Sequence, residues 1–509
     1  MATRRNVLAA GGIGLLAASG VGRAVAQGRD KGVLRVAATL SPTSLDPVTG
    51  RGGSDHVCLY LFYDTLVEFD EKTLKPRPGL ASKWTYTDPK TLVLTLRPGV
   101  VFHDGTPFDA SVVKFNLDRA AKHSRSSIQV DVGGIESIEV TGPLEVTLRL
   151  KIADSSIPLT LSDRAGMMVS PAAIEKFGAD HDRNPVGTGP WSMTAFRPGE
   201  RLTGVKNDRY WKPGLPVVAN IQVSFILDLN TCLRTVVSGE NDFTYNLSSV
   251  QAQAAEKTPS VVLTRTATIG NMWHVWMNNG RAPFNDVRVR RALLHSIDKN
   301  AYNRATQRGM GEVATGLYPK AYWAYHADSS GAYPLDVEKA KALLTEAGHP
   351  NGIDAVFRVF PDQFSQQSFE VIAAMATKAG FRLKPVSGGT PGAVADSFFG
   401  GEGDMMMGRW SGRPDPSVAF ATLYAKGAYF NPGSQEAGGF KEALAKTLSV
   451  EDPADRAPLL GDLQKIVTDN AQDLPLVFEP LVAVYSKRVK NYVPNLLGKP
   501  RFENVSLDG

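Results

Sequence analysis

Apolar residues recur along this chain with two spacings, and the spacing changes between regions. In segments 92–97 (LVLTLR) and 144–150 (LEVTLRL) apolar and polar residues alternate, which is typical of antiparallel strands with one face in water. From residue 295 to 470, amphipathic helical segments alternate with short apolar runs. Such alternation favours an α/β unit. The sequence therefore predicts an α/β protein that is mixed α+β in part.

One segment is predicted to join two such units. Residues 271–277 (NMWHVWM) are apolar and aromatic and indicate a buried strand. Pro283 blocks continuation of that strand, and Asn285 suits the N-cap of a following helix. We therefore expect the chain to leave a central strand here and to cross between two lobes, with the ligand between them.

The N-terminus has the features of an export signal. Arg4 and Arg5 precede an apolar run to about Val21, and the segment 24–26 (AVA) resembles a cleavage site. The arginine pair resembles a twin-arginine signal, but Val7 departs from that pattern, so export by the Sec route is the alternative. The apolar run is shorter than the roughly 20 residues of a membrane span. We predict that residues 1–26 are removed and that the protein is periplasmic.

Composition and charge limit the number of domains and the kinds of partner. A chain of 509 residues is too long for one core and predicts two or three domains. Removal of residues 1–26 takes away three arginines and lowers the formal charge from +5 to +2. The basic residues form no run, which argues against nucleic acid as a partner. Cys58 and Cys232 lie in apolar segments. The sequence leaves open whether they form a disulfide or remain two buried thiols.

Several motifs together carry a family resemblance. They are, in chain order, LASKW at 80–84, LRPGV at 96–100, FHDGTPF at 102–108, NPVGTGP at 184–190, PFNDVRVRRAL at 283–293 and AKALLTEAG at 340–348. In this order they resemble the family 5 extracytoplasmic solute-binding proteins of ABC transporters, the receptors for peptides, nickel and opines. The resemblance extends from about Val33 to Tyr485, which is nearly the whole mature chain.

The resemblance implies a two-lobed periplasmic binding protein fold of the type II, cluster C-like class. Lobe I would comprise residues 27–69, 186–278 and 474–509. A small inserted domain would cover residues 70–185, and lobe II residues 279–473. Two crossovers would join the lobes, and hinge closure would bury the ligand between them.

The segment 410–416 (WSGRPDP) is the first predicted binding element. Peptide-binding members of the family carry a Trp here and, three residues later, an Asp that pairs with the peptide ammonium group. In this chain that residue is Arg413, whose planar guanidinium suits a carboxylate or phosphate. Asp415 could take over part of the acidic role, and Arg413 could instead form a local bridge with an acid. The predicted ligand residues of this region are Arg409, Trp410, Ser411 and Arg413.

Three further segments are expected to line the cleft. Strand alternation places His274 and Trp276 on one face of segment 271–277, and the family register favours that face for the ligand. The alternative is that these aromatic residues are core. The resemblance also places Asp55, in a glycine-rich loop, and Phe478, at a strand end, at cleft-lining positions.

No motif for catalysis was found. The chain lacks H-E-x-x-H, G-x-S-x-G and the Walker A pattern, and its eight His residues form no close cluster. We therefore predict no catalytic residue, no metal site and no cofactor. The predicted function is capture of a small or medium peptide-like, opine-like or other anionic solute by a monomer that delivers it to inner-membrane ABC permease subunits. The alternatives are an exported sensory or chaperone-type binding protein and a periplasmic hydrolase.

Overall fold

The computed structural model describes residues 32–50, 55–329, 332–388 and 391–508. The predicted export signal, residues 1–26, lies outside these ranges. The chain from Gly32 onward forms one compact unit, whose described residues form two large sheets, one four-stranded sheet and two two-stranded sheets. Within the described ranges, no helix is both long enough and apolar enough to cross a membrane.

The first large sheet has seven strands. Its central strand, Val33–Ala38, runs parallel to both neighbours. Val36 faces helix Asp55–Phe62, whereas Ala37 faces the opposite layer of helices, so both faces of the sheet are covered. The strands in spatial order are Val261–Thr266, Leu481–Ser486, Phe243–Tyr245, Val33–Ala38, Asn220–Phe225, Arg201–Lys206 and Trp191–Arg197. The helices of the opposite layer are Leu229–Ser238 and Ser249–Glu256.

The second large sheet has six strands. A separate hydrophobic core packs against each of its faces. Met405 and Met407 enter one core, and Met406 enters the other. The strands in spatial order are Glu312–Val313, Asp473–Phe478, Met272–Met277, Met405–Trp410, Ile353–Arg358 and Phe381–Val386. This sheet and its helices are called the second half of the fold. Its helices are Val287–Ser296, Lys299–Gln307, Val337–Glu346, Gln363–Ala376, Pro391–Phe399, Pro416–Tyr424, Phe440–Leu448 and Pro453–Asp469.

The small domain contains a four-stranded antiparallel sheet. Its predicted alternation is observed: in Thr91–Leu96 the leucines are buried and Thr95 is exposed. Asp109 caps helix Ala110–Lys122 by accepting hydrogen bonds from the Ser111 and Val112 amides. The strands in order are Ala81–Asp88, Thr91–Leu96, Glu145–Leu150 and Ile135–Gly142, and the helices are Ala110–Lys122, Gln129–Val132, Ile157–Thr160 and Pro171–Phe177.

Short elements complete the fold. The two-stranded sheets pair Val67–Phe69 with Pro76–Pro78 and Val489–Lys490 with Ser506–Leu507. Four short 3₁₀ turns are Arg164–Gly166, Gly178–Arg183, Ala327–Ser329 and Thr377–Ala379. The small domain also contacts the second half directly, because the Ser155 amide donates to the Leu448 carbonyl at 2.8 Å.

The two crossings between the large sheets lie elsewhere than predicted. The chain changes sheet between Thr266 and Met272 and again between Phe478 and Leu481. Strand Met272–Met277 therefore belongs to the second sheet, and segment 278–283, expected to be a crossing, lies inside the second half. The expected borders after residue 278 and before residue 474 are wrong for these two strands. An apolar strand that is buried on both faces carries no pattern to show which sheet it joins.

Candidate functional site

The crossings bring four segments of backbone together between the two sheets. The Ile269 amide donates to the Leu496 carbonyl at 2.9 Å, and the Glu479 amide donates to the Asn271 carbonyl at 2.7 Å. Gly270 is needed for this approach, because a Cβ there would lie 2.7 Å from the Ser411 carbonyl oxygen. The predicted ligand segment 410–416 thus begins directly beside the crossing at Gly270.

Strand Met272–Met277 presents its two faces as predicted. His274 and Trp276 share one face, with ring centroids 3.9 Å apart. Trp273 points to the other face and packs against Phe364. His274 is fully buried, and its Nδ1 lies 3.0 Å from Asp473 Oδ2. Its Nε2 has no hydrogen-bond partner among the described residues.

Trp276 and Trp410 belong to one aromatic cluster. Phe430 lies between them, with its ring centroid 6.0 Å from that of Trp276 and 5.5 Å from that of Trp410. Phe478 packs into the same core. The indole Nε1 atoms of both Trp residues are buried and have no partner in the part of the chain that the structure describes. Buried donors are nearly always hydrogen-bonded, so each of these two can donate to a bound water or ligand.

Arg413 and Asp415 have different surroundings. Arg456 donates to both Asp415 oxygens, at 2.9 and 3.0 Å, and all of these groups are buried. Asp415 also caps helix Pro416–Tyr424. The Arg413 guanidinium lies over Trp410, 5.3 Å from the ring centroid, and donates to the Gly412 carbonyl at 3.0 Å. The alternative of a local bridge between Arg413 and Asp415 is not observed, because Asp415 pairs with Arg456.

Arg413 faces charged residues from two other parts of the chain. Burial raises the pKa of Asp131 in the small domain, and the nearby charge of Arg413 partly offsets that rise. Burial also lowers the pKa of Lys499 near the C-terminus, and the charges of Arg164 and Arg413 contribute to that lowering. The guanidinium thus lies where the second half meets the small domain and the C-terminal segment.

Asp163 contacts both His56 and Lys499. One of its carboxylate oxygens lies 2.8 Å from His56 Nε2, and the other accepts from Lys499 Nζ at 2.8 Å. Burial alone would raise the pKa of Asp163, but the charges of His56 and Lys499 hold it well below its usual range. Arg164 donates to the Ser127 hydroxyl at 3.0 Å. We call the set Asp131, Asp163, Arg164, Arg413 and Lys499 the charged cluster; it holds three cations and two carboxylates.

The remaining predicted residues differ in their contacts. Both carboxylate oxygens of Asp55 accept hydrogen bonds from Thr43, at 2.7 Å each, and the side chain is fully buried. Arg409 is exposed and lies 3.5 Å from a Glu479 oxygen. Ser411 is exposed and lies beside Gly270. Asp55 therefore holds the start of helix Asp55–Phe62 against Thr43, and ligand contact by Asp55, Arg409 or Ser411 stays a prediction.

The charged cluster also contains residues that sequence reasoning did not select. Asp131, Arg164 and Lys499 are far apart in the chain, and none belongs to a motif. Only folding brings them near Arg413. In the described ranges, no group of three His, Cys, Asp or Glu side chains is arranged to hold a metal ion. Cys58 and Cys232 are buried free thiols.

Comparison with known proteins places these features in a family. Residues 75–431 match the model described as bacterial extracellular solute-binding proteins, family 5 Middle. The glutathione-binding protein GsiB of Escherichia coli (strain K12) is 31% identical over 480 residues, which cover 90% of this chain and 91% of that protein. GsiB of Shigella dysenteriae serotype 1 (strain Sd197) gives the same identity and coverage.

Solved structures share the fold. The ABC transporter-associated periplasmic binding protein DppA from Helicobacter pylori, in complex with the peptide STSA, has a TM-score of 0.82 at 24% identity and covers 94% of this chain and 98% of its own. The binding protein AgaA from A. tumefacien R10, in complex with agropinic acid, has a TM-score of 0.82 at 23% identity, with 94% and 99% covered. The predicted two-lobed fold and binding-protein class are confirmed. The chain belongs to the family 5 bacterial extracellular solute-binding proteins, which serve ABC importers.

Proposed function

We propose that the protein captures a small solute with a carboxylate or similar anionic group between its lobes, and that Arg413 binds that group. The observation that carries the proposal is the contrast within segment 413–415. Arg456 forms an ion pair with the Asp415 carboxylate. Arg413 makes no ion pair with a carboxylate of the described residues. A guanidinium has five donors and no acceptor, so it can hold an acid group but not an ammonium group.

The charged cluster supports an anionic ligand. Its three cations exceed its two carboxylates, and all five side chains are partly buried. A buried charge without a counterion is costly. An incoming carboxylate would balance the excess positive charge at Arg413.

Glutathione is the first ligand to test. The relatives that are 31% identical are named as glutathione-binding proteins. Glutathione carries two carboxylates and one ammonium group, so its net charge is negative at neutral pH. Its peptide carbonyls would also offer acceptors to the unpaired indole Nε1 atoms of Trp276 and Trp410. We propose that Phe478 and His274 support this aromatic surface from behind.

Calorimetry tests the role of Arg413. Loss of one charge-assisted bidentate contact costs ~1.5–3 kcal/mol, so Arg413→Ala should bind glutathione roughly 10- to 100-fold more weakly than the wild type. Arg183→Ala is the matched control, because Arg183 is exposed and lies outside the charged cluster. Unchanged affinity in Arg413→Ala would contradict the proposal, as would an equal loss in the control.

We also propose that the protein acts without catalysis. A hydrolase would need a nucleophile beside a base. The pair His274 and Asp473 has the arrangement of a base and its orienting acid, but His274 Nε2 reaches no hydroxyl or thiol of the described residues. A sensory role shares the same binding step and is favoured only if ligand binding proves independent of an importer.

The likeness to periplasmic binding proteins supports a periplasmic site of action. We propose that residues 1–26 direct this chain to the periplasm by the twin-arginine or the Sec route. There it would act as a monomer that delivers its solute to ABC permease subunits. Mass spectrometry of the periplasmic protein should find the new N-terminus near residue 27, and retention of Arg4 and Arg5 would contradict cleavage.

A further inference from the structure

A cavity lies within the second half of the fold, apart from the predicted ligand residues of the cleft. Its volume is about 240 Å³, and none of the predicted ligand residues of the cleft lines it. It lies among helix Lys299–Gln307, helix Pro453–Asp469 and strand Asp473–Phe478. An engineered apolar cavity of ~150 Å³ holds a benzene molecule. The observed volume therefore admits a molecule of amino-acid size.

Lys299 brings a positive charge to this cavity. Its ammonium group donates to the Ala314 carbonyl at 3.0 Å. Burial lowers the pKa of Lys299 to about 8, and the nearby Asp473 opposes that lowering, so the group stays protonated at neutral pH. In the described part of the chain Lys299 forms no ion pair with a carboxylate. It therefore retains hydrogen atoms for a further acceptor.

Asp473 brings the opposite charge. Its Oδ2 accepts hydrogen bonds from His274 Nδ1, at 3.0 Å, and from the Tyr424 hydroxyl, at 2.9 Å. Its Oδ1 has no hydrogen-bond donor among the described residues, although the residue lines the cavity. Asp298 lines the cavity too, but it caps its own helix by accepting from the Ala301 amide at 2.9 Å. Asp473 is therefore the carboxylate with spare capacity.

The two charges are arranged for a ligand that carries both signs. Lys299 and Asp473 are near enough for one to shift the pKa of the other, yet they form no ion pair with each other. A molecule with an acid group beside an ammonium group would bridge them. The rest of the lining is largely apolar and includes Leu294, Ile297, Leu317 and Val467.

We propose that this cavity is a second binding site, which takes a free α-amino acid with an apolar side chain. The ligand carboxylate binds Lys299, its ammonium group binds Asp473 Oδ1, and its side chain packs against the apolar lining. The proposal does not depend on which solute binds in the cleft.

Calorimetry with three matched probes tests the ligand class. The probes are L-leucine, N-acetyl-L-leucine, which lacks the ammonium charge, and L-leucinamide, which lacks the carboxylate. Leucine should bind saturably at millimolar concentrations. Each blocked probe should bind at least about tenfold more weakly, because it loses one charge-assisted contact. Equal binding of a blocked probe would overturn the two-charge arrangement, and absence of saturable leucine binding would overturn the site.

Four variants locate the binding. Lys299→Met should weaken leucine binding at least about tenfold, whereas Lys320→Met, which changes an exposed lysine, should leave it unchanged. Val313→Phe places a larger side chain in the cavity lining and should also abolish binding, which covers the case of a poorly folded Lys299→Met. Arg413→Ala should bind leucine like the wild type. Loss in Arg413→Ala with retention in Lys299→Met and Val313→Phe would place leucine in the cleft and refute the second site.

Discussion

Replacing Arg456 with Met would leave the Asp415 carboxylate without its counterion in the second half of the fold. The side chains of Arg456 and Asp415 are 3% and 1% exposed, and Arg456 Nη1 and Nη2 lie 2.9 and 3.0 Å from the carboxylate oxygens. Arg456 also donates to the Ser417 hydroxyl at 2.6 Å. Breaking a buried pair by removing one partner costs ~3–5 kcal/mol. Because the Ser417 amide still donates to Asp415, at 2.8 Å, we expect about 3 kcal/mol.

Urea unfolding measures this loss. Tryptophan fluorescence and far-ultraviolet circular dichroism should give coincident transitions before one free energy is fitted, because a chain of this size need not unfold in one step. Arg358→Met is the matched control: its partner Glu402 is largely exposed, with a side chain 69% accessible, so the loss should be at most ~1 kcal/mol.

A second substitution separates the charge from the packing. Adding Asp415→Asn to Arg456→Met removes the unpaired charge while it keeps the helix cap, and it should recover roughly 1–2 kcal/mol. A loss below about 1 kcal/mol in Arg456→Met would show that Arg456 does not balance a buried charge on Asp415. So would a double variant that is no more stable than Arg456→Met alone.

Three further predictions concern other parts of the molecule. The stability advantage of the wild type over Asp163→Asn should shrink as the pH falls below about 4, the ordinary pKa of an Asp, because neighbouring charges depress the folded-state pKa of Asp163; urea midpoints at several pH values measure it, and a constant difference would contradict it. Gly408→Ala should shift tryptophan emission, since its Cβ would meet Trp276 Cζ3 at 2.3 Å; an unchanged spectrum would count against this packing. Cys58 and Cys232 should resist thiol reagents in the native protein and react after unfolding, because both are buried and burial raises the Cys58 pKa to about 12; an absence of free thiols after unfolding would indicate a disulfide.

Local signals in the sequence identified many elements well. Asp109 and Asp336 cap the helices that follow them, and an acceptor directly before an apolar stripe is a local signal for such a cap. The helix after Pro283 also exists, but Asp286 rather than Asn285 caps it. Here two neighbouring residues were both capable of capping, and the choice depends on where the turn ends.

Features set by distant contacts were not predictable in the same way. Strand Met272–Met277 was placed in the wrong sheet, because its residues are apolar on both faces and pairing with Met405–Trp410 is decided by the whole fold. Arg413 stood out because the family pattern has an acid there. Arg164 and Lys499 did not, since they approach it only after folding.

Recognition of an acid group by the cleft can be measured on the unaltered protein. Calorimetric titration compares glutathione with glutathione amidated at its carboxylates. At least one amidated form should bind roughly 10- to 100-fold more weakly than glutathione. Equal affinity for the acid and for every amide would contradict such recognition.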